Sequence, residues 1–242
     1  MITTKYFDYL QEIFNKIKEN ENQNIEQAAD LIVESIKAGG RFYVFGSGHS
    51  HMVAEEIYIR AGGLAYVKAI LPPELMLHEM PNKSTYIERL SGYSKEILNL
   101  YKVEEKDTLM IVSNSGRNSV PVEMALEAKE IGTKVIAMTS MEHTTSGASR
   151  HPSGKRLFES ADVVLDTHAP KGDAACYVEG VEAPVGPVSD FSGIALANCL
   201  IVSVVDKMQK LGLETPIFKS SNLDGADEYN NELFDKYYGY WK

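Results

Sequence analysis

Cysteine is scarce in this 242-residue chain: Cys176 and Cys199 are the only two, far apart and without CxxC spacing. Isolated thiols of this kind are typical of a reducing compartment, so we expect a cytoplasmic protein without disulfides. The start of the chain has no apolar leader, and the apolar runs look too short to cross a bilayer. The sequence therefore predicts no membrane partner.

Basic residues are fewer than acidic ones: the chain has 24 Lys and Arg and 34 Asp and Glu, which gives a formal net charge of −10. A protein field of that sign repels phosphate polymers, so we expect no nucleic-acid partner. A small phosphorylated molecule is still compatible with it, since the positive ends of helix dipoles can bind an anion inside an acidic protein. With 44% hydrophobic residues, the chain can bury a proper core, and we predict a single domain over 1–242.

Strand and helix patterns alternate along the chain. Two amphipathic helices occupy 1–40. Five strands are predicted at 41–45, 64–70, 108–113, 134–139 and 162–166, with further helices at 50–61, 85–101, 120–131 and 189–211. This alternation predicts an α/β fold, a three-layer αβα sandwich over 41–211 around a doubly wound, five-stranded parallel sheet. The aromatic tail 212–242 is expected to pack on this domain or on a partner subunit.

Two Gly- and Ser-rich loops each follow a predicted strand and open a helix. Loop 1 is Gly46–Ser50 (Gly-Ser-Gly-His-Ser) and loop 2 is Ser113–Ser119 (Ser-Asn-Ser-Gly-Arg-Asn-Ser). Each presents small hydroxyls and free backbone N–H groups at the positive end of a helix dipole, an arrangement that binds phosphate without a lysine. The alternative is that the small residues only make tight turns. Two such loops in one α/β unit indicate a phosphorylated small molecule held between them.

These loops belong to a longer series of motifs. The series is Lys37-Ala-Gly-Gly40, Gly46-x-Gly-x-Ser50, Ser113-x-Ser-Gly-x-x-Ser119, Gly132-x-Lys-Val-Ile136 and Ala161-Asp-Val163. With it the chain resembles the SIS (sugar isomerase) domain family over about residues 5–211 and, among its members, the phosphoheptose isomerases. The resemblance implies a flavodoxin-like fold, a sugar phosphate as ligand, and dimers or tetramers whose subunits share active sites.

The resemblance also implies which residues contact the substrate. For its phosphate these are Ser50, Ser113, Ser115 and either Asn118 or Ser119, with Gly48 and Gly116 of the same loops as further contacts. The catalytic residues do not transfer. In phosphoheptose isomerases the helix after the first loop carries a His and, one turn later, a Glu that works as a base, a pair that can bind zinc. A second catalytic His lies on their C-terminal helix.

Counting from Ser50, the positions of that pair hold Glu56 and Arg60, and 189–211 contains no His. We therefore expect no metal and no other cofactor. Aldose–ketose isomerisation still needs an acid and a base.

Other side chains are candidates for these roles. A carboxylate, Glu56 first and Glu79 second, is predicted to move the carbon-bound proton, and His78 or His49 to serve the oxygens. Asp190 lies in a region where SIS enzymes often place a catalytic group.

Alternatives without catalysis exist for several of these residues. Glu56 can pair with Arg60 one helical turn later, and Asp190 can cap its helix. Glu55 is ranked below Glu56, and Glu88 is a further carboxylate that a partner subunit could supply.

Two functions of different class follow, and a third is disfavoured. The first is an isomerase for an open-chain aldose or ketose phosphate, and an epimerase or lyase acting on an amino-sugar phosphate would use nearly the same residues. The second is a regulator that binds a sugar phosphate without turnover. A nucleotide-binding domain is disfavoured, because loop 1 lacks the third Gly of GxGxxG and no acidic residue ends the second strand. Apolar helices and the aromatic tail predict a homodimer or homotetramer.

Overall fold

The computed structural model describes residues 1–239. Five strands form its central sheet: β1 Phe42–Gly46, β2 Val67–Ile70, β3 Thr108–Val112, β4 Lys134–Thr139 and β5 Val163–Asp166. Their order is β2-β1-β3-β4-β5, and every pairing is parallel. This confirms the predicted doubly wound, flavodoxin-like sheet.

Helices connect these strands. In the described residues they are α1 Ile2–Asn20, α2 Asn22–Lys37, α3 His51–Glu56, α4 Lys83–Ile87, α5 Tyr93–Tyr101, α6 Ser119–Ile131, α7 Met141–Thr145, α8 Ser189–Lys210 and α9 Ala226–Tyr238. A small antiparallel pair, β6 Ala174–Cys176 and β7 Val185–Pro187, precedes α8. Helices α1 and α2 confirm the two N-terminal helices predicted from the sequence.

Both faces of the central sheet are covered by helices. Because side chains alternate along a strand, Phe42 and Val44 of β1 pack with α1, α2, α3 and α8, while Tyr43 and Phe45 pack with α5 and α6. All four side chains are fully buried, which explains why the strands read as continuous apolar runs. The three-layer αβα sandwich is thereby confirmed.

Three predicted elements differ from the structure. The helix after loop 1 ends at Glu56, and Ile59 then takes a left-handed conformation (φ 39°) that a right-handed helix cannot contain. The helix predicted over 85–101 is two helices, α4 and α5, which Gly92 separates with a φ of 84°. The segment between the fifth predicted strand and the last predicted helix, to which the sequence assigned no strand, contains the β6–β7 pair.

The tail packs on β2, an edge strand of the sheet. Leu64 pairs with Ile217 in an antiparallel bridge, and the Tyr238 hydroxyl donates to the Val67 carbonyl oxygen at 2.7 Å. The buried residues of this contact are Ala65, Phe218, Leu233 and Tyr238. Residues 240–242, including the single Trp of the predicted aromatic tail, lie outside the described part of the chain.

Helix α8 is apolar along most of its 22 residues. Among the described helices it alone is long and apolar enough to cross a membrane, with a mean hydropathy of 1.5. The expectation that every apolar run is too short is therefore too strict. Leu196, Leu200 and Val204 are fully buried in the sandwich core, and a core helix has the same composition. The other side of α8 exposes Cys199 and Val202 in a groove beside α1 and α2.

A buried acid–base pair links the start of α2 to the end of β5. Glu21 is 3% exposed, and its carboxylate lies 3.2 Å from Nε2 of His168 and accepts from the Asp166 amide at 3.2 Å. The hydrogen bond with Glu21 raises the pKa of His168. Burial alone would raise the pKa of Glu21, but its hydrogen bonds, that of His168 foremost, lower it. Each group therefore stabilises the charged form of the other.

We expect His168→Gln to lower the free energy of unfolding by about 1–3 kcal/mol near pH 5.5 and by much less near pH 9. The raised pKa of His168 stabilises the fold fully below the unfolded value of 6.5, and this contribution is lost as the pH rises through the folded value. Glu21 contributes above its unfolded value of 4.5 and loses its effect as the pH falls through the lowered one. Urea unfolding of both proteins at the two pH values measures the difference. An equal loss at both would contradict a charged pair.

Candidate functional site

Loop 1 and loop 2 lie side by side at the carboxyl end of the sheet. Loop 1 follows β1 and loop 2 follows β3, and these two strands are neighbours in the sheet. The chain adds β2 on one side of β1 and adds β3, β4 and β5 on the other, so the order of the strands reverses between β1 and β3. Parallel sheets of this kind bind their ligands at such a switch point. Loop 1 leads into α3 and loop 2 into α6, so a ligand between them would face both loops.

Glycine shapes the backbone of both loops. A Cβ on Gly46 would lie 2.3 Å from the carbonyl oxygen of Ser50, so loop 1 admits no side chain at that position. Gly48 and Gly116 take left-handed conformations with φ of 57° and 55°. In loop 2, the Ser113 hydroxyl accepts a hydrogen bond from the Gly116 amide at 3.2 Å. This hydroxyl therefore already holds the turn of loop 2.

The remaining predicted phosphate contacts differ in their surroundings. Ser50 and Ser115 are half-buried, and within the described chain their hydroxyls have no hydrogen-bond partner. Both are available to a ligand. Ser119 is buried at the first position of α6, and the amide of Asn118, the residue before it, is occupied by neighbouring side chains.

Glu88 joins the two loops. Its carboxylate accepts hydrogen bonds from the Ser47 hydroxyl of loop 1 at 2.8 Å and from the Asn118 amide of loop 2 at 2.6 Å, while Arg150 donates to the Asn118 oxygen at 2.9 Å. Burial raises the pKa of Glu88, and the Ser47 hydrogen bond and the charges of Arg89 and Arg150 act against that shift. The sequence interpretation named Glu88 as a further carboxylate that a partner subunit could supply; in the structure its carboxylate connects the two loops of its own chain.

A cluster of imidazoles and a carboxylate lies where loop 1 enters α3. His51 is 3% exposed, its Nδ1 hydrogen-bonds the Gly48 carbonyl oxygen, and its Nε2 lies 3.5 Å from the Glu55 carboxylate. The His78 and His51 ring centroids are 5.5 Å apart. A neutral His51 that donates from Nδ1 keeps Nε2 free of a proton, so this nitrogen can accept a proton or bind a metal.

His49 and Asp190 belong to the same region. Burial raises the pKa of Asp190 at the start of α8, and the nearby imidazoles of His49 and His51 act against that shift. The structure thus brings three predicted site residues, His49, His78 and Asp190, together with the His51–Glu55 pair. Carboxyl groups with raised pKa beside imidazoles are suited to proton transfer near neutral pH.

The two carboxylates ranked first from the sequence make other contacts. Glu56 forms an ion pair with Arg60, and Glu79 forms one with Lys83, in each case four residues along the chain. Glu56 and Arg60 also line a small cavity with Asn198. Catalytic roles for Glu56 and Glu79 stay predictions, and neither carboxylate belongs to the convergent cluster around His51.

Sequence reasoning ranked His51 below His49 and Glu55 below Glu56, whereas the structure brings His51 and Glu55 together. The signal was present, because a His and a Glu four residues apart lie on one face of a helix. Counting from Ser50 with the spacing of the phosphoheptose isomerases moved the pair to Glu56 and Arg60. In this chain α3 begins directly at His51, so the pair comes earlier.

The cluster could also hold a metal ion. One ligand atom each from His51, Glu55 and His78 lies within 4.8 Å of the others. Two imidazoles and a carboxylate are a common zinc ligand set that leaves a coordination position open. The Gly48 carbonyl orients His51 in the way that outer partners orient metal-binding imidazoles. The side chains therefore fit a divalent cation, and the expectation of a metal-free site stays a prediction.

The fold and the paired loops together define a SIS-domain protein. Residues 5–140 match the SIS domain, and the chain belongs to that family. Its relatives include the UPF0309 protein BH3325 of Halalkalibacterium halodurans, which is 57% identical over 234 residues covering 97% of each chain. The resemblance inferred from the motifs is confirmed.

Solved structures of other SIS proteins share the fold. Phosphoheptose isomerase GmhA from Neisseria gonorrhoeae superposes with a TM-score of 0.56 at 18% identity, covering 84% of this chain and 96% of that one. The sugar isomerase domain of the RpiR transcription factor from Sphaerobacter thermophilus superposes with a TM-score of 0.50 at 18% identity, covering 97% of this chain and 94% of that one. At such identities the likeness shows the fold alone.

Proposed function

We propose that this protein is an isomerase acting on an open-chain aldose or ketose phosphate. The observation that carries the proposal is the convergence of His51, Glu55 and His78 where loop 1, one of two loops suited to phosphate, enters α3. Membership of the SIS family and the likeness in fold to a phosphoheptose isomerase support it.

The reaction moves one proton between adjacent carbons while the two oxygens exchange theirs. The Glu55 carboxylate, which lies 3.5 Å from Nε2 of His51, would take the carbon-bound proton and return it to the neighbouring carbon. Asp190, whose pKa burial raises, and His78 would give and take the oxygen-bound protons. A divalent cation is an alternative use of the same side chains: His51, Glu55 and His78 would then hold the ion, which would supply Lewis-acid polarisation of the substrate carbonyl, and the proton transfers would be left to Asp190 and His49.

We expect Ser50→Ala and Ser115→Ala each to weaken sugar-phosphate binding about tenfold, because each removes a hydrogen bond to a charged group. A thermal-shift screen of sugar phosphates against their unphosphorylated parents measures this, since ligand at a hundredfold its Kd adds about 2.7 kcal/mol of stability. Ser221→Ala, at an exposed serine of the tail, is the matched control. If no sugar phosphate shifts the melting of the wild type, the proposal fails.

A second candidate is a regulator that binds a sugar phosphate without turnover. The ion pairs that occupy Glu56 and Glu79 favour it, because both carboxylates first predicted as bases are engaged elsewhere. Incubation of bound sugar phosphates in D₂O separates the two functions, with and without added Zn²⁺. Deuterium at the carbon next to the carbonyl supports the isomerase, and tight binding without exchange supports the regulator. Product analysis in the same samples distinguishes an epimerase or a lyase.

A further inference from the structure

We propose that a second anion-binding subsite lies beside loop 2, formed by Arg117 and Arg150, so that the ligand is a sugar phosphate with a second anionic group. This subsite rests on the proposed function, because it places the second group of a ligand whose phosphate is held by the two loops. It specifies the substrate class further: a phosphorylated sugar acid or a sugar bisphosphate.

Unpaired arginines surround loop 2. Carboxylates outnumber basic residues 34 to 24, yet four of the six arginines form no ion pair with a carboxylate in the described chain. These four are Arg89, Arg117, Arg150 and Arg156. Arg150 is tied directly to the loop, because its backbone N–H donates to the Arg117 carbonyl oxygen at 2.8 Å. Arg156 and Arg89 are placed near it through their neighbours, since Leu157 N donates to Gly116 O at 2.9 Å and Val120 N, in the first turn of α6, donates to Glu88 O at 2.9 Å.

The guanidinium groups are close enough to affect one another. Partial desolvation of the otherwise exposed Arg150 side chain lowers its pKa, and the positive charges of Arg117 and Arg89 lower it further. Glu88 is the carboxylate that acts on Arg150, but burial raises its pKa and its oxygens already accept from Ser47 and Asn118. The carboxylate of Glu159 accepts from the backbone N–H of Arg156. Like charges gathered in this way attract an anion, and guanidinium groups match the geometry of carboxylate and phosphate.

Buried polar atoms without a partner concentrate in the same place. Five of the six such atoms in the described chain belong to loop 2 or to the segment after β4 that packs on it. They are Arg117 Nε, His143 Nδ1, Thr144 Oγ1, Arg156 Nη1 and Ser160 Oγ. Buried polar groups normally find hydrogen-bond partners. Two of these atoms are guanidinium nitrogens and two are hydroxyls, so four of the five can donate a hydrogen bond. Arg117 Nε is the one that belongs to the proposed subsite, where an anion would give it an acceptor.

The direction of the Arg117 side chain favours binding of a second anionic group over contact with the phosphate that lies between loop 1 and loop 2. Its Nη1 lies 3.5 Å from where a Cβ of Gly147 would be, so the side chain runs along the segment that follows α7. Arg150 lies against the same loop, because its guanidinium group donates to the Asn118 side-chain oxygen at 2.9 Å. The Ser115 hydroxyl and the backbone N–H groups at the start of α6 are sufficient to bind one phosphate group. The two arginine side chains are therefore available for a second anionic group of the same ligand.

Calorimetric titration at fixed salt tests the subsite with four ligands. Glucose 6-phosphate and fructose 6-phosphate carry one anionic group, while 6-phosphogluconate adds a carboxylate and fructose 1,6-bisphosphate adds a phosphate. We expect at least one doubly anionic ligand to bind the wild type about tenfold or more tightly than the monophosphates. Arg150→Gln and Arg117→Gln should abolish that preference, so that the doubly anionic ligand loses about tenfold more affinity than the monophosphates. Arg60→Gln removes the same charge elsewhere and should keep the preference.

The remaining outcomes are distinguishable. Monophosphate binding without a preference in the wild type would overturn the subsite and leave the proposed function intact. An equal loss for all four ligands in the arginine variants would mean that the arginines bind the shared phosphate, which also overturns it. If none of the four ligands binds, the proposed function fails together with the subsite. Arg150 is exposed, so Arg150→Gln carries the test if Arg117→Gln fails to fold.

Discussion

Glu55→Gln is expected to lower kcat for sugar-phosphate isomerisation by about 10²–10⁴-fold, the range that a positioned general base contributes. The substitution keeps the size and polarity of the side chain but removes its ability to accept a proton from carbon. His51 would lose only a neighbour at 3.5 Å, and its hydrogen bond to the Gly48 carbonyl does not involve Glu55. The Kd for the substrate should therefore change by no more than about threefold, because loop 1 and loop 2 carry the phosphate contacts.

Glu56→Gln is the matched control for this loss. It lies one residue further along the same helix, and its partner is Arg60, four residues further along the chain. An exposed i,i+4 ion pair contributes only about 0.2–0.5 kcal/mol, so kcat should stay within a few-fold of the wild type. A large loss in Glu56→Gln with little change in Glu55→Gln would restore the base first predicted from the sequence. Loss of Zn²⁺ binding in Glu55→Gln alone would assign the carboxylate to a metal instead.

Gly46→Ala is expected to lower the free energy of unfolding by about 3 kcal/mol and to abolish sugar-phosphate binding. The new Cβ would lie 2.3 Å from the Ser50 carbonyl oxygen and 2.8 Å from the His51 amide nitrogen. Those atoms are backbone, so they cannot move aside as a flexible side chain can. Loop 1 would have to open, and the cluster at the start of α3 would move with it.

Urea unfolding and the thermal-shift screen measure the two effects on the same protein. Gly239→Ala supplies the control, because a Cβ at that position meets no atom within 4 Å and the backbone φ of −58° suits any residue. That variant should stay within about 0.5 kcal/mol of the wild type. Wild-type stability combined with lost binding in Gly46→Ala would mean that loop 1 can adopt another conformation without a stability cost.

The sandwich could be predicted because its signals are local. Each strand is a continuous apolar run with a glycine or polar stop nearby, and helices alternate with strands along the chain. The ends of the helices were harder to predict from the sequence. The early stop of α3 depends on the left-handed Ile59, and the break between α4 and α5 depends on Gly92. Neither position interrupts the apolar pattern that indicates a helix.

The candidate site could be predicted only in part, because its contacts join distant segments. Glu88 meets Ser47 and Asn118 across separations of 41 and 30 residues, and no periodicity reports such contacts. His78 lies in a segment without clear pattern, so its approach to His51 also needed the fold. The His51–Glu55 pair is different. The four-residue spacing of His51 and Glu55, which places both on one face of a helix, can be read from the sequence. Counting from Ser50 with the spacing of the phosphoheptose isomerases drew attention to Glu56 and Arg60 instead.

The docking of α9 on β2 has a consequence for how the molecule behaves in a crowded solution. An edge strand offers unpaired carbonyl and amide groups to any other extended chain. Here the Tyr238 hydroxyl donates a hydrogen bond to the Val67 carbonyl oxygen, and Ile217 forms an antiparallel bridge with Leu64, three residues before Val67. The tail therefore acts as a built-in cover against strand-by-strand aggregation. A shortened chain that stops after α8 would keep the phosphate loops and the histidine cluster but would expose this edge strand. Because the cover is formed by the C-terminal tail, a fusion tag is better placed at the N-terminus, where it does not follow α9 directly.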